Sequence, residues 1–132
     1  MTAFLNVDLE IRLRRGLDEL LKHLGKRMFV LHQEEQWARL ELNGSGKLPF
    51  DKTLQTIAKT IHLLPPEAKL LWDNCSLRRL DIGIQAGAQP RAAQFNISQK
   101  IAAQLLSIQV EIGLTIYAPD APADQSIGGR KS

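Results

Sequence analysis

Cysteine, aromatic side chains and long apolar runs are all scarce in this sequence. A single cysteine, Cys75, occurs in 132 residues, so no disulfide can form within the chain and a cysteine-stapled secreted scaffold is excluded. Aromatic residues make up 5%, which leaves aliphatic side chains to build most of the core. No window approaches the roughly 18 consecutive apolar residues of a transmembrane helix. Charge of one sign is not in large excess either. Lys and Arg number 17 against 14 Asp and Glu, a net charge of +3, well short of the concentrated field of a committed nucleic-acid binder. The segment Met1 to Asp8 lacks a basic region and a long apolar stretch, so no signal peptide is expected and the cytoplasm is the expected location. What remains is 44% hydrophobic and 23% charged, ordinary for a globular protein of one domain. A chain of this length buries about two-thirds of its unfolded surface and needs no staple. Residues 1–117 are expected to form a single α+β domain. Residues 118–132, rich in Ala, Pro, Asp, Gly and Ser, are expected to be a flexible tail.

Periodicity supplies the elements. Leu5, Val7, Leu9, Ile11 and Leu13 alternate with Asn6, Asp8, Glu10, Arg12 and Arg14, which predicts a half-buried strand. Leu17, Leu20, Leu21 and Leu24 recur at helical spacing, with Gly25 placed for a left-handed cap. Met28 to Leu31 and Trp37 to Asn43 predict a hairpin around the polar segment 33–36. Leu54, Ile57, Ala58, Ile61 and Leu64 predict a second helix, with Asp51 as its cap and Pro65-Pro66 as its stop. Pro66 can begin a short helix through Trp72. Arg79 to Gly87 and Val110 to Tyr117 alternate as strands, the second with Val110, Ile112, Leu114 and Ile116 expected inward; Gln94 to Ile97 predicts a short one, and Ser98 caps a helix carrying Ile101, Ala102, Leu105 and Ile108. Clean alternation means one sheet face covered and one wet. The expected fold is α+β: a two-layer sandwich of about six mainly antiparallel strands, helices on one face, in a ferredoxin-like βαββ…ββαβ order.

The pattern Leu71-Trp72, Arg79-Leu-Asp-Ile-Gly-Ile-Gln-Ala-Gly87, Phe95-Asn-Ile-Ser98 and Val110-Glu-Ile-Gly-Leu-Thr-Ile-Tyr117 resembles small bacterial α+β domains of unknown function. Some of these lie near polymorphic toxin systems and are immunity-like. The resemblance spans roughly residues 64–117 and rests on structural motifs. It implies a fold and a neighbourhood, and no reaction.

Chemistry-bearing constellations are thin. His23, His32 and His62 include no pair at i, i+4 spacing, so the zinc-protease helix is absent, and neither metal nor cofactor is expected. Cys75 reads better as a small buried hydrophobe than as a nucleophile. Asn43-Gly-Ser-Gly-Lys47 lacks the spacing of a phosphate loop. Alternation instead gathers Asp8, Glu10, Glu41, Asp81 and Glu111 on the wet sheet face, with Arg12, Arg14, Arg39, Arg79, Trp37 and Tyr117. Arg, Trp and Tyr are the residues that most often anchor interfaces. Those six are the candidate protein-binding residues. The expectation is a non-enzymatic cytoplasmic binding protein, its partner another protein, with a bacterial toxin implied by the resemblance alone. An exposed edge strand would also allow a homodimer, and no membrane partner is expected. The alternative is a nucleic-acid-associated module using the basic segment Arg12–Arg27, against which Asp18 and Glu19 interrupt the positive run.

Overall fold

The computed structural model describes residues 1–88 and 92–119. The elements are β1 (Ala3–Arg12), α1 (Leu17–Leu24), β2 (Met28–Gln33), β3 (Trp37–Leu42), α2 (Phe50–His62), α3 (Pro66–Asp73), β4 (Leu77–Gln85), α4 (Gln99–Ser107) and β5 (Glu111–Tyr117), with one 3-10 turn at Ser45–Lys47. The strands form one sheet in the order β2-β3-β1-β4-β5. The β2–β3, β3–β1 and β1–β4 pairings are antiparallel, and β4–β5 is parallel, so the sheet is mixed.

The core follows from parity. Val7, Leu9 and Ile11 of β1, Ala38, Leu40 and Leu42 of β3, and Leu80, Ile82 and Ile84 of β4 are buried on one face. There they join Leu20 and Leu24 of α1, Leu54, Ile57 and Ile61 of α2, Trp72 of α3, and Ile101 and Leu105 of α4 in a single cluster. The fold is therefore α+β with the helices packed on one side of a five-stranded sheet. At about 25 cal/mol per Å² of apolar surface removed from water, this cluster supplies most of the drive to fold.

Several expectations need correction. Five strands form among the described residues, where about six were expected. Gln94–Ile97 is irregular, since Phe95 and Ile97 pack sideways against the core instead of pairing with a strand. The second half thus runs β-α-β, without the extra strand that a βαββ…ββαβ order needs. Leu5 is not an inward residue. The register with β4 slips between Phe4 and Asn6, which turns Leu5 out to 46% exposure and brings Phe4 onto the core. Gly25 closes α1 in the right-handed region (φ −64°), whereas Gly16 at the start of that helix is left-handed (φ 90°). Gly16 also lies against Leu71, where a Cβ would sit 2.7 Å from Cδ2. Asp51 falls inside the first turn of α2, and Pro49 occupies the cap position. The Ser98 cap is observed, its Oγ accepting from the Ile101 N–H at 3.2 Å. Residues 89–91, and the expected tail beyond Pro119, lie outside the described residues. No described helix is long and apolar enough to cross a membrane.

Candidate functional site

The wet face is built by four strands in register. Asp8 on β1 stands between Glu41 on β3 and Asp81 on β4, while Glu10 stands between Arg39 and Arg79. Three acids abreast repel one another, and a single guanidinium offsets two of them, Asp8 and Asp81. Arg39 Nη1 lies 3.2 Å from Asp8 Oδ2 and 3.5 Å from Asp81 Oδ2, and its Nη2 lies 3.7 Å from Glu10 Oε1. Thr115 Oγ1 donates to the other Asp81 oxygen at 2.8 Å.

These groups are mostly shielded, with side chains 16–29% exposed. Burial pushes the Asp8 carboxyl above its ordinary 3.8, against the Arg39 hydrogen bond, and Glu41 and Asp81 add repulsion. Asp8 Oδ1 is buried and takes no hydrogen bond among the described residues. Burial also acts on Arg39, but the bond to Asp8 and the field of Glu10 outweigh it and hold the guanidinium more firmly protonated.

Trp37 begins β3, paired with Arg12 at the end of β1. Its indole N–H donates to Glu10 Oε2 at 2.6 Å, and its ring lies 5.2 Å from the His32 ring. Glu10 therefore ties Trp37 and Arg39 into one network. A shallow hollow of about 260 Å³ opens beside it, lined by Arg12, Glu34, Glu35, Gln36 and Trp37.

The six sequence candidates do not all meet. Arg12, Trp37 and Arg39 share the β1–β3 side of the wet face. Arg79 lies across the sheet, its guanidinium resting where a Cβ on Gly113 would sit, 2.7 Å from that position. The absent side chain is what lets Arg79 lie flat on β5. Tyr117, half exposed, ends β5 with its ring over Gly83. Arg14 lies beyond the end of β1 and is exposed. Lys22, Lys26 and Arg27 of the basic segment belong to α1 and its C-terminal turn, and only Arg12 of that segment shares the wet face.

Sequence reasoning passed over two features. Arg78, on the covered parity of β4, donates through Nη1 to the carbonyls of Trp72, Asp73 and Cys75 at 3.1, 3.3 and 2.9 Å. It adds to the backbone cap of α3, whose Leu70, Leu71 and Trp72 carbonyls already accept from the N–H groups of Asn74 and Cys75. Its Nε reaches the Gln109 carbonyl at 2.9 Å. An arginine five residues after the end of α3 was the available signal. The second feature is apolar exposure at the sheet edges. Phe29, Val30 and Leu31 of β2 are 44%, 39% and 45% exposed, and Ile112, Leu114 and Ile116 of β5 are 46%, 62% and 65% exposed.

Cys75 is buried, and burial raises its thiol to about 11, so it is a poor nucleophile near neutrality. Trp72 is fully buried and donates its indole N–H to the Ile108 carbonyl at 2.9 Å. Among the described residues no group of three or more His, Cys, Asp or Glu side chains is arranged to hold a metal ion. Comparison with family models, curated proteins and solved structures returned no match, so the reading rests on this geometry.

Proposed function

We propose that the chain is a non-enzymatic protein-binding module whose contact surface is the wet sheet face around Trp37, Arg12 and Arg39. The observation that carries this reading is the fixed state of that face before any partner arrives. Glu10 holds Trp37 at 2.6 Å, and three carboxylates clasp Arg39. Side chains already immobilised lose little entropy on docking, and an anchored tryptophan beside an arginine is the composition of an interface centre. In the immunity-type form of the proposal the partner is a bacterial toxin and the module works in the cytoplasm by covering the toxin's surface. Resemblance supports that part alone. We further read β2-β3-β1-β4, all antiparallel, as a ferredoxin-like set to which β5 adds in parallel.

Affinity capture from native lysate tests the reading, with washes at low and high salt and a nuclease-treated sample. One stoichiometric protein retained at high salt by the native chain, and lost with Trp37→Ala plus Arg39→Ala, is the expected result. Retention by that folded double variant would overturn the choice of surface. Nuclease-sensitive material lost at high salt would overturn protein binding in favour of the basic segment Arg12–Arg27.

A further inference from the structure

Among the described residues the sheet extends one strand further than the helices that cover it. Ile112, Leu114 and Ile116 of β5 stand in register with Leu80, Ile82 and Ile84 of β4. Their β4 neighbours are at most 8% exposed, while the three β5 side chains are 46%, 62% and 65% exposed. They form an apolar ledge on the side where the core lies, on a strand whose outer backbone edge has no neighbour in the sheet among the described residues.

We propose that this ledge and edge receive a second copy of the chain. The two β5 strands pair antiparallel about a two-fold axis at Leu114, joining two five-stranded sheets into one.

The occupant is argued from the strand's own pattern. β5 reads Glu111-Ile-Gly-Leu-Thr-Ile-Tyr117, and its apolar positions are symmetric about Leu114. In the antiparallel register Ile112 of each copy faces Ile116 of the other, and the two Leu114 side chains meet on the axis. All six lie on the same side of the joined sheet, where the opposed pairs make apolar contact across the new seam. Charge agrees. Glu111 is the one charged residue of the strand, it comes opposite Tyr117, and it already has Arg79 beside it on β4. No like charges are opposed anywhere along the pairing.

The strand also lacks the devices that usually prevent such addition: proline, lysine and a register slip are all absent from Glu111–Tyr117. A strand pair this short falls toward the low end of specific interfaces, so association is expected to be of moderate strength. This inference concerns a different part of the molecule from the Trp37 surface and stands whether or not that surface binds a partner.

Sedimentation velocity across about 5 to 500 µM, the range suited to a small interface, is the test. The expected result is a mass rising from 14.8 kDa towards twice that value. Leu114→Lys places two ammonium groups on the axis and is expected to weaken association at least tenfold. Leu31→Lys, on the opposite edge, leaves it unchanged. Far-ultraviolet dichroism confirms that both variants are folded. Leu114→Cys provides a readout independent of affinity: mild oxidation gives a disulfide-linked dimer, while Leu31→Cys gives none. The proposal is overturned by a single 14.8 kDa species throughout the range. A doubled mass that a folded Leu114→Lys variant retains overturns it equally. Trp37→Ala should not move the mass, which separates this test from that of the partner surface.

Discussion

The two edges of the sheet are built differently although both expose aliphatic side chains. At β2 the register with β3 slips between Val30 and His32, and the strand runs out into Gln33, Glu34 and Glu35. A bulge and a charged exit twist an edge away from regular pairing. At β5 the register with β4 is unbroken from Glu111 to Tyr117, and the apolar residues all fall on one parity. Exposed apolar area alone would rank the two edges together. Regularity is what distinguishes a strand that can accept a neighbour from one that resists it.

The regular edge depends on how its strand is anchored, and substitutions there should have the largest effect. Trp72→Ala removes a fully buried indole and its bond to the Ile108 carbonyl, just before β5. We expect a loss of about 3–5 kcal/mol of stability in urea unfolding. Hydrogen exchange should show β5 amides losing protection before those of β2. Equal loss at both edges would remove the idea that β5 is held from the α3 side.

Arg39→Gln breaks the centre of the wet face, away from either edge. It leaves Asp8, Glu10 and Asp81 without their shared cation, which should cost about 1–3 kcal/mol at neutral pH. The loss should diminish in acid, as the carboxylates protonate. A stability loss independent of pH would mean that packing of the arginine stem, rather than charge, is what matters there.

Gln109 joins α4 to β5 with φ at +60°, unusual for a residue with a side chain. Gln109→Gly relieves that strain while keeping the carbonyl that Arg78 uses. A gain of about 0.5–1 kcal/mol is expected, reduced by the added freedom of the unfolded chain. A loss instead would show that the glutamine side chain braces the start of β5.

The smallest effect concerns Asp8. Its folded carboxyl lies above the ordinary 3.8 because of burial, so the folded state favours the proton more than the unfolded state does. The group's stabilising contribution is full below 3.8 and is lost as pH rises through the raised folded value. In Asp8→Asn that pH-dependent contribution is absent. The stability of the native chain relative to Asp8→Asn should therefore increase as pH falls through this window. A difference that stays flat, measured by urea midpoints at several pH values, would refute the assignment.

Much of the architecture is legible in the residue pattern, because alternation and helical spacing record which face is dry. The β1, β3 and β4 parities and the stripes of α1 and α2 are of this kind. The pattern is silent about what covers a face. Ile112, Leu114 and Ile116 alternate as cleanly as Leu80, Ile82 and Ile84, yet among the described residues they are left exposed. A local register slip is equally invisible, which is why Leu5 is exposed. Phe95-Asn-Ile shows how a short apolar triplet can serve the core without joining the sheet. At the wet face, parity places Trp37 and Arg39 together but cannot show that Glu10 binds both, since that depends on side-chain reach across β1 and β3.

The two tryptophans occupy opposite solvent environments, and this gives the protein two optical probes that need no label. Trp72 has no contact with water, whereas Trp37 is partly exposed beside a carboxylate and an imidazole. Iodide should quench the red-edge emission of Trp37 and leave the blue-edge emission of Trp72 largely intact. One spectrum can then follow contact at the wet face and the integrity of the interior separately, in the same cuvette.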